Sequence, residues 1–375
     1  MATDQESRKN IVFSIEKALK EGSHCSLLGG LGVGKTRLAK TILGKSEASF
    51  IPLFVDLERM SLTPEGFASE FIALASWAFL KKEAHERASF SSMSTIASHE
   101  KELGRDAISI ASGVENELLK IKPNQELLVK ESFRFLHSIS NKSGKKILVA
   151  FDSFGLFLEL NNYDQIKDAV SLMGLENQAV RFLLISSSVS EMKNELPALK
   201  HFAVGDLDRK DAEALVREIW ASADKKTIDE LLTLTSHPLA LKMLARDCKE
   251  SGKKPKEAFY AQLLCKEAGL FRHCASSLSH YLSRARGQTL PKAILKTISQ
   301  GEFRLSEIAR KIYRSAPVTK SLIDRLVAVD IIEKKGKVFV FCDPLLGLWM
   351  KLVSLGFEFD SAPTQKEVEE VMRRI

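Results

Sequence analysis

Eight consecutive residues, Gly29-Gly30-Leu31-Gly32-Val33-Gly34-Lys35-Thr36, carry the clearest chemistry in the chain. They fit G-x-x-x-x-G-K-[ST] at every fixed position. The glycines let the backbone turn tightly, so its N–H groups can converge on phosphate oxygens. In such a cradle Lys35 reaches the outer phosphates and the Thr36 hydroxyl ligates magnesium. Cys25 to Leu28, just before it, reads as a short buried strand. "TRLAKTIL" follows with Leu38 and Ile42 at helical spacing, so a helix N-terminus adds its dipole to the anion site. Strand, loop and helix in that order make a chance glycine turn a poor alternative. Gly29 through Thr36, with Arg37, are expected to hold a nucleotide.

"KKILVAFDSFGLF" (Lys145 to Phe157) supplies the second element. It is an apolar strand ending in Asp152, a carboxylate that with Thr36 would hold Mg2+. Where the commonest hydrolytic sites carry a glutamate, this chain has Ser153. A serine hydroxyl is too weak a base to replace it, so hydrolysis suffers while binding survives. Asp56 and Glu58 at a neighbouring strand end, and Glu159 downstream, are the carboxylates within range. Asp56 and Glu159 are the catalytic candidates, although an aspartate there also suits turn capping. Three readings stay open: an ATP-binding switch with slow or absent hydrolysis, an active ATPase with a displaced or neighbour-supplied carboxylate, and a DNA-binding or adaptor protein with a vestigial loop.

These residues need a scaffold. "FIPLFVDLE", "KILVAFDSF" and "AVRFLLISSS" read as buried strands, and "HFAVGDL" as a short fifth. Helical segments separate them, the pattern of a parallel α/β sheet. The key residues then cluster at strand carboxyl ends, where such sheets bind ligands. Ninety residues (57–146) separate the second strand from the Asp152 strand, more than one crossover needs. Within them Leu62 to Lys82 reads as a helix, with Thr63 as cap and Pro64 in its first turn. Ala88 to Ser98 reads as a flexible bridge, and two more helices meet at Pro123. This insertion is either padding or a docking site for a protein partner.

Composition bounds the rest. Hydrophobic residues make up 45% and charged residues 27%, ordinary for a globular chain. No apolar run approaches a membrane span, and "MATDQESRKN" has no secretory core. The five scattered cysteines show no C-x-x-C pair, which argues against a disulfide framework and suits a reducing, cytoplasmic location. Of the net charge of +7, residues 288–352 contribute +6, from twelve Lys/Arg and six Asp/Glu. Such local charge fits a polyanion.

That span also has a distinct pattern. "PKAILKTISQG", "LSEIARKIY" and a helix starting near Pro317 precede two strands around the basic turn Lys334 to Lys337. Three helices and a hairpin make a winged helix, whose third helix enters the major groove. Arg314, Lys320, Arg325, Lys334, Lys335 and Lys337 are the expected phosphate contacts. Winged helices also bind proteins; the charge favours duplex DNA. "SRARGQTLPK" (283–292) reads as the linker before it. The tail "TQKEVEEVMRRI" reads as an amphipathic helix with Val368, Val371 and Ile375 on one side.

Together "GGLGVGKT", "LFVDLE", "ILVAFDSF", "FLLISSSVSEMK", "LDRKDAEALV", "TSHPLALKML" and "FCDPLLGLWM" resemble the archaeal ATPase family of STAND-type P-loop NTPases, relatives of the AAA+ initiators. The resemblance implies an α/β fold: a P-loop NTPase parallel sheet with helical lid, followed by a winged-helix domain. The expected division is 1–205 core with an insertion at about 60–140, 206–286 lid, 287–353 winged helix and 354–375 tail helix. It implies ATP and Mg2+ as cofactors, allows a homo-oligomer, and adds Ser187 and Pro238 as nucleotide contacts. The chain departs from the family's pattern in Ser153, in Ser186-Ser187-Ser188, in Ser236-His237-Pro238, and in "ESRKNIVFSIEKAL", where a base-holding box is hard to find.

Overall fold

The computed structural model describes residues 7–374; the polar start at 1–6 and Ile375 lie outside the described residues. Five parallel strands form the main sheet: β1 (Cys25–Leu28), β2 (Ile51–Asp56), β3 (Ile147–Asp152), β4 (Val180–Ser186) and β5 (Lys200–Ala203). Their spatial order is β2-β3-β4-β1-β5. The short fifth strand expected from "HFAVGDL" is present, pairing with β1 from Cys25↔Lys200 to Leu28↔Ala203.

β3 and β4 are buried along almost their whole length because both sheet faces are covered. On one face lie α1 (Arg8–Lys20) and α2 (Lys35–Ser46), which pack Ile11, Ile15, Ile42 and Leu43 against Leu148, Leu183 and Ile185. On the other lie α3 (Pro64–Phe79), α4 (Met93–Ala97), α5 (Glu100–Leu103), α6 (Arg105–Leu118) and α7 (Gln125–Ser143). Thr63 caps α3 by accepting from Gly66 N at 3.0 Å, and Pro64 fills its first position, as the sequence suggests. Phe67, Phe71, Phe133, Phe151, Phe154, Phe157 and Phe182 form a continuous buried layer. Phe71 stacks on Phe151 with centroids 5.6 Å apart, and Phe154 on Phe157 at 5.4 Å. Each such side chain stabilises the fold by about 1.5–3 kcal/mol. The layer underlies the end of β3, so Asp152 and Ser153 stand on a rigid floor.

Two expectations are corrected here. The Ala88 to Ser98 bridge is not a free loop: 3₁₀ turns over Ala84–Ser91 and then α4 bury Phe90 and Ile96. Two apolar anchors hold a segment that its serines made look mobile. The 283–292 linker shrinks to four residues, because the preceding helix runs to Arg284 and the next opens at Thr289. Pro291 falls in that helix's first turn, where proline has no needed N–H to lose.

After β4 come α8 (Val189–Glu195) and β5, then α9 (Arg209–Ile219), α10 (Lys225–Leu234), α11 (Pro238–Ser251), α12 (Pro255–Leu264) and α13 (Gly269–Arg284). Three further helices follow, α14 (Thr289–Ser299), α15 (Leu305–Lys311) and α16 (Ala316–Ala328), and then the antiparallel hairpin β6 (Ile332–Lys335) and β7 (Val338–Phe341). This is the element order of a winged helix, with Gly336 at φ 63° in the hairpin turn. α17 (Pro344–Ser354) and α18 (Gln365–Arg374) complete the chain, and Val368 and Val371 of α18 are buried. One apolar cluster runs from Leu207 to Val371, so the helices α9–α13 share a core with the winged-helix elements. No helix among the described residues is long and apolar enough to cross a membrane.

Candidate active site

β1 delivers the chain directly into the glycine loop. Gly29 N donates to Ser186 O at 3.3 Å, fixing the loop to the end of β4. A Cβ at Gly29 would lie 2.0 Å from Val204 O, so only glycine fits. Gly34, at φ 90°, turns the chain into α2. Lys35 is 9% exposed, and its ammonium donates to Gly29 O and Gly30 O, both at 2.7 Å. The cation therefore sits inside the bowl that the loop forms. Burial pushes its pKa down to about 8, and Asp152 opposes that shift.

Thr36 Oγ1 donates to Asp152 Oδ2 at 2.7 Å. A hydroxyl and a carboxylate this close offer two hard oxygen donors, which suit magnesium, an ion that otherwise keeps waters and phosphate oxygens. Asp152 lies directly beside Asp56 in the β2–β3 register. Asp56 itself is engaged: its Oδ1 accepts from Glu58 N at 3.2 Å and its Oδ2 pairs with Arg59 at 3.2 Å, capping the turn after β2. Glu159 is exposed and makes no hydrogen bond or ion pair among the described residues. The carboxylate that does reach the end of β3 is Glu58, whose Oε1 accepts from Ser153 Oγ at 2.8 Å.

Past β4, the contacts fall on the residues flanking Ser187. Ser186 Oγ accepts from Ser188 N at 3.0 Å, and Ser188 Oγ accepts from Arg284 Nη1. Arg284, at the end of α13, also pairs with Glu191 at 2.6 Å. His280, one turn earlier, has its pKa lowered by burial and by Arg284; Glu58 raises it and Lys35 lowers it further. α13 thus overlooks the same space as Lys35 and Glu58.

Ser236-His237-Pro238 also closes on the loop. His237, 5% exposed, hydrogen-bonds through Nε2 to Leu31 O at 3.0 Å, and Pro238 opens α11 beside it. A cavity of about 520 Å³ lies between α1, the loop, α2, α9 and α11. Gly32, Val33, Gly34, Arg37 and Pro238 line it, as does Arg8. Arg8 donates to Val33 O at 3.0 Å and to Gly205 O at 2.5 Å, while its backbone N donates to Asp211 at 2.8 Å. Arg37 spans the cavity mouth to Glu218 at 3.1 Å. Arg8, His237 and Arg284 were not assigned site roles from the sequence, since each reaches the site through a contact remote in the chain.

The six basic residues expected to contact phosphate from the winged-helix span are all exposed. Arg314 precedes α16, Lys320 and Arg325 lie on it, and Lys334, Lys335 and Lys337 surround the hairpin turn. Lys335 is partly committed to Glu333 at 3.1 Å.

A search of solved structures finds the same architecture elsewhere. The Walker-type ATPase PABY2304 of Pyrococcus abyssi aligns over 92% of this chain and 95% of its own, at 17% identity and a TM-score of 0.61. The chain has the P-loop NTPase fold. Weaker likenesses are to the Aeropyrum pernix Orc1 protein in complex with DNA and to a STAND protein with a tetratricopeptide repeat sensor, PH0952 of Pyrococcus horikoshii. The first has 13% identity, covers 98% of this chain and 94% of that one, and has a TM-score of 0.42. The second has 16% identity, coverage of 96% and 44%, and a TM-score of 0.37. No family model and no curated protein matches the sequence. Within this P-loop fold the strand ends, the loop and the overlooking helices meet at one place.

Proposed function

We propose that this chain is an ATP-binding switch of the AAA+/STAND type, coupling nucleotide state to a winged helix that contacts duplex DNA. The observation that carries the reading is the Lys35 ammonium held in the glycine bowl beside the Thr36–Asp152 pair. A buried cation and a hydroxyl–carboxylate pair at a helix N-terminus suit a magnesium-bound polyphosphate. Gly29 through Arg37 would hold the phosphates, Thr36 and Asp152 the magnesium, and the cavity beside Arg8 and Pro238 the base. When bound, magnesium neutralises phosphate charge. Helices α9–α13 act as the lid, with His237 on the loop and Arg284 on the far side of the site. Ser153 stands where a glutamate usually does, so the usual water-activating carboxylate is missing from the position after Asp152. The exposed basic residues of α16 and the hairpin support phosphate-driven DNA binding.

The test is ATP binding by wild type and Lys35→Ala, each with and without duplex DNA. Lys35-dependent binding, together with a DNA affinity that changes when ATP is added, is the expected result. Equal ATP binding by the two proteins, or none by either, would sink the reading.

A further inference from the structure

Ser153 and Glu58 pose a problem that the switch reading leaves unanswered. They lie on neighbouring strand ends, 95 residues apart in sequence, and share a 2.8 Å hydrogen bond. Ser153 makes that bond from a left-handed backbone, φ 58° and ψ 42°. A non-glycine residue there costs about 1–2 kcal/mol. A hydrogen bond to a carboxylate returns about 1.5–3 kcal/mol at best, and less at an exposed site such as this one, so it does little more than offset the strain. Strain of this kind collects at functional sites.

Three further constraints bear on Glu58. The Asp56 cap holds its backbone N–H, so the turn that carries it is fixed. Glu58 Oε1 receives the Ser153 hydroxyl, while Oε2 has no protein donor among the described residues. Through Ser153 it adjoins the phosphate site: Ser153 N donates to Asp152 at 3.1 Å, and Asp152 accepts from Thr36.

We infer that the water-activating carboxylate has moved across one strand, from the position after Asp152 to Glu58, with Ser153 as the residue that positions it. Glu58 Oε2 faces the attacking water. As the water oxygen bonds to the γ-phosphorus, its proton passes to the Glu58 carboxylate. The bond between the γ-phosphorus and the β–γ bridging oxygen breaks, and its electron pair leaves with ADP. Glu58 then gives its proton to the departing phosphate or to solvent, and the carboxylate is restored. This rests on the ATP-binding reading and adds turnover to it: the chain hydrolyses ATP, with the base one strand away from the usual position.

The experiment measures equilibrium ATP binding and single-turnover hydrolysis of γ-labelled ATP with Mg2+ in four full-length proteins: wild type, Glu58→Gln, Ser153→Gly and Lys35→Ala. Lys35→Ala sets the background. Glu58 is exposed, so its glutamine variant folds, and its ATP binding serves as the check. The expected result is Glu58→Gln with ATP affinity within about twofold of wild type and hydrolysis lower by about 100-fold or down to background. Glycine accepts the φ of Ser153 without strain, so Ser153→Gly keeps the backbone and loses only the hydroxyl. It should retain ATP affinity and lose several-fold in rate, a split that a purely structural role would not produce. Hydrolysis by Glu58→Gln at the wild-type rate overturns the inference, as does wild-type hydrolysis no faster than background despite tight binding. In both cases the ATP switch survives. Failure of wild type to bind ATP removes both.

Discussion

Gly32 is the point where the loop and the lid are most tightly matched, and Gly32→Ala tests that match. The residue has φ 78°, and a Cβ there would lie 2.8 Å from His237 Cε1 and 3.2 Å from both His273 Cε1 and Leu239 Cβ. All three atoms belong to lid helices or their caps. Two costs follow. Alanine in the left-handed region costs about 1–2 kcal/mol whatever the lid does. Making room for the methyl displaces His237, whose bond to Leu31 O is worth about 0.5–1.5 kcal/mol. The first cost lowers global stability. The second falls on the closed lid alone, and if ATP favours that state it weakens ATP binding by about 3- to 10-fold. Thermal unfolding reads the first cost, and ATP titration reads the second. A double-mutant cycle with His237→Ala separates them, because trimming His237 removes both the clash and the bond it would break. The two substitutions should couple by about 1 kcal/mol in ATP binding. Strict additivity, or wild-type ATP affinity in Gly32→Ala, refutes the reasoning.

Two more outcomes follow from the same geometry. Asp330 accepts from Ser190 N at 2.9 Å and from Ser190 Oγ, with φ 61°. Asp330→Gly fits that backbone and deletes both bonds while the Arg284 contacts remain, so it should leave ATP affinity within about twofold of wild type and reduce, without abolishing, the effect of ATP on DNA affinity in a DNA-binding titration. Replacing Lys334, Lys335 and Lys337 together by alanine should lower the slope of log affinity for DNA against log salt by about 2, rather than nearly 3, because Lys335 already pairs with Glu333.

Much of this was legible in the sequence because it is local. The loop, its helix, the apolar strands and the third helix with its hairpin each show their pattern within about twenty residues, a range over which spacing determines structure. The Thr63 cap and the short fifth strand belong to the same class. What stayed hidden is long-range. Glu58 could be placed on a neighbouring strand end from the sequence, but nothing near it says that it meets Ser153. Arg8 sits in the stretch where no base-holding box was evident. Its contacts to Val33 and Gly205 depend on how α1 crosses the loop. Arg284 lies inside the supposed linker, where polar residues suggested a tether and the structure instead makes a contact. The serine-rich bridge misled for a related reason: two buried side chains outweigh a run of polar ones.

The path from nucleotide to winged helix depends on which contacts are weak. Leu207 through Val371 share one core, so moving the winged helix against the lid would expose several fully buried leucines and isoleucines, at about 1.5–3 kcal/mol each. The contacts that cross from the core to this body at α8 are slighter. Arg284 meets Ser188 and Glu191, and Asp330 meets Ser190. The Arg284–Glu191 pair is only partly buried, at 26% and 34% exposure, and such pairs contribute about 0.2–1 kcal/mol. α8 follows β4, whose last residue holds Gly29 of the phosphate loop. A change at the phosphates therefore reaches α8 through one strand end, and α8 grips the lid at Ser188 and Glu191 and the winged helix at Ser190. On the switch reading the weak contacts would yield first, and α9–α18 would move as one body about the short connection after β5. A coupling built from two or three such contacts amounts to about 1–3 kcal/mol, enough for ATP to change DNA affinity by about 5- to 150-fold and too little to lock the winged helix in one state.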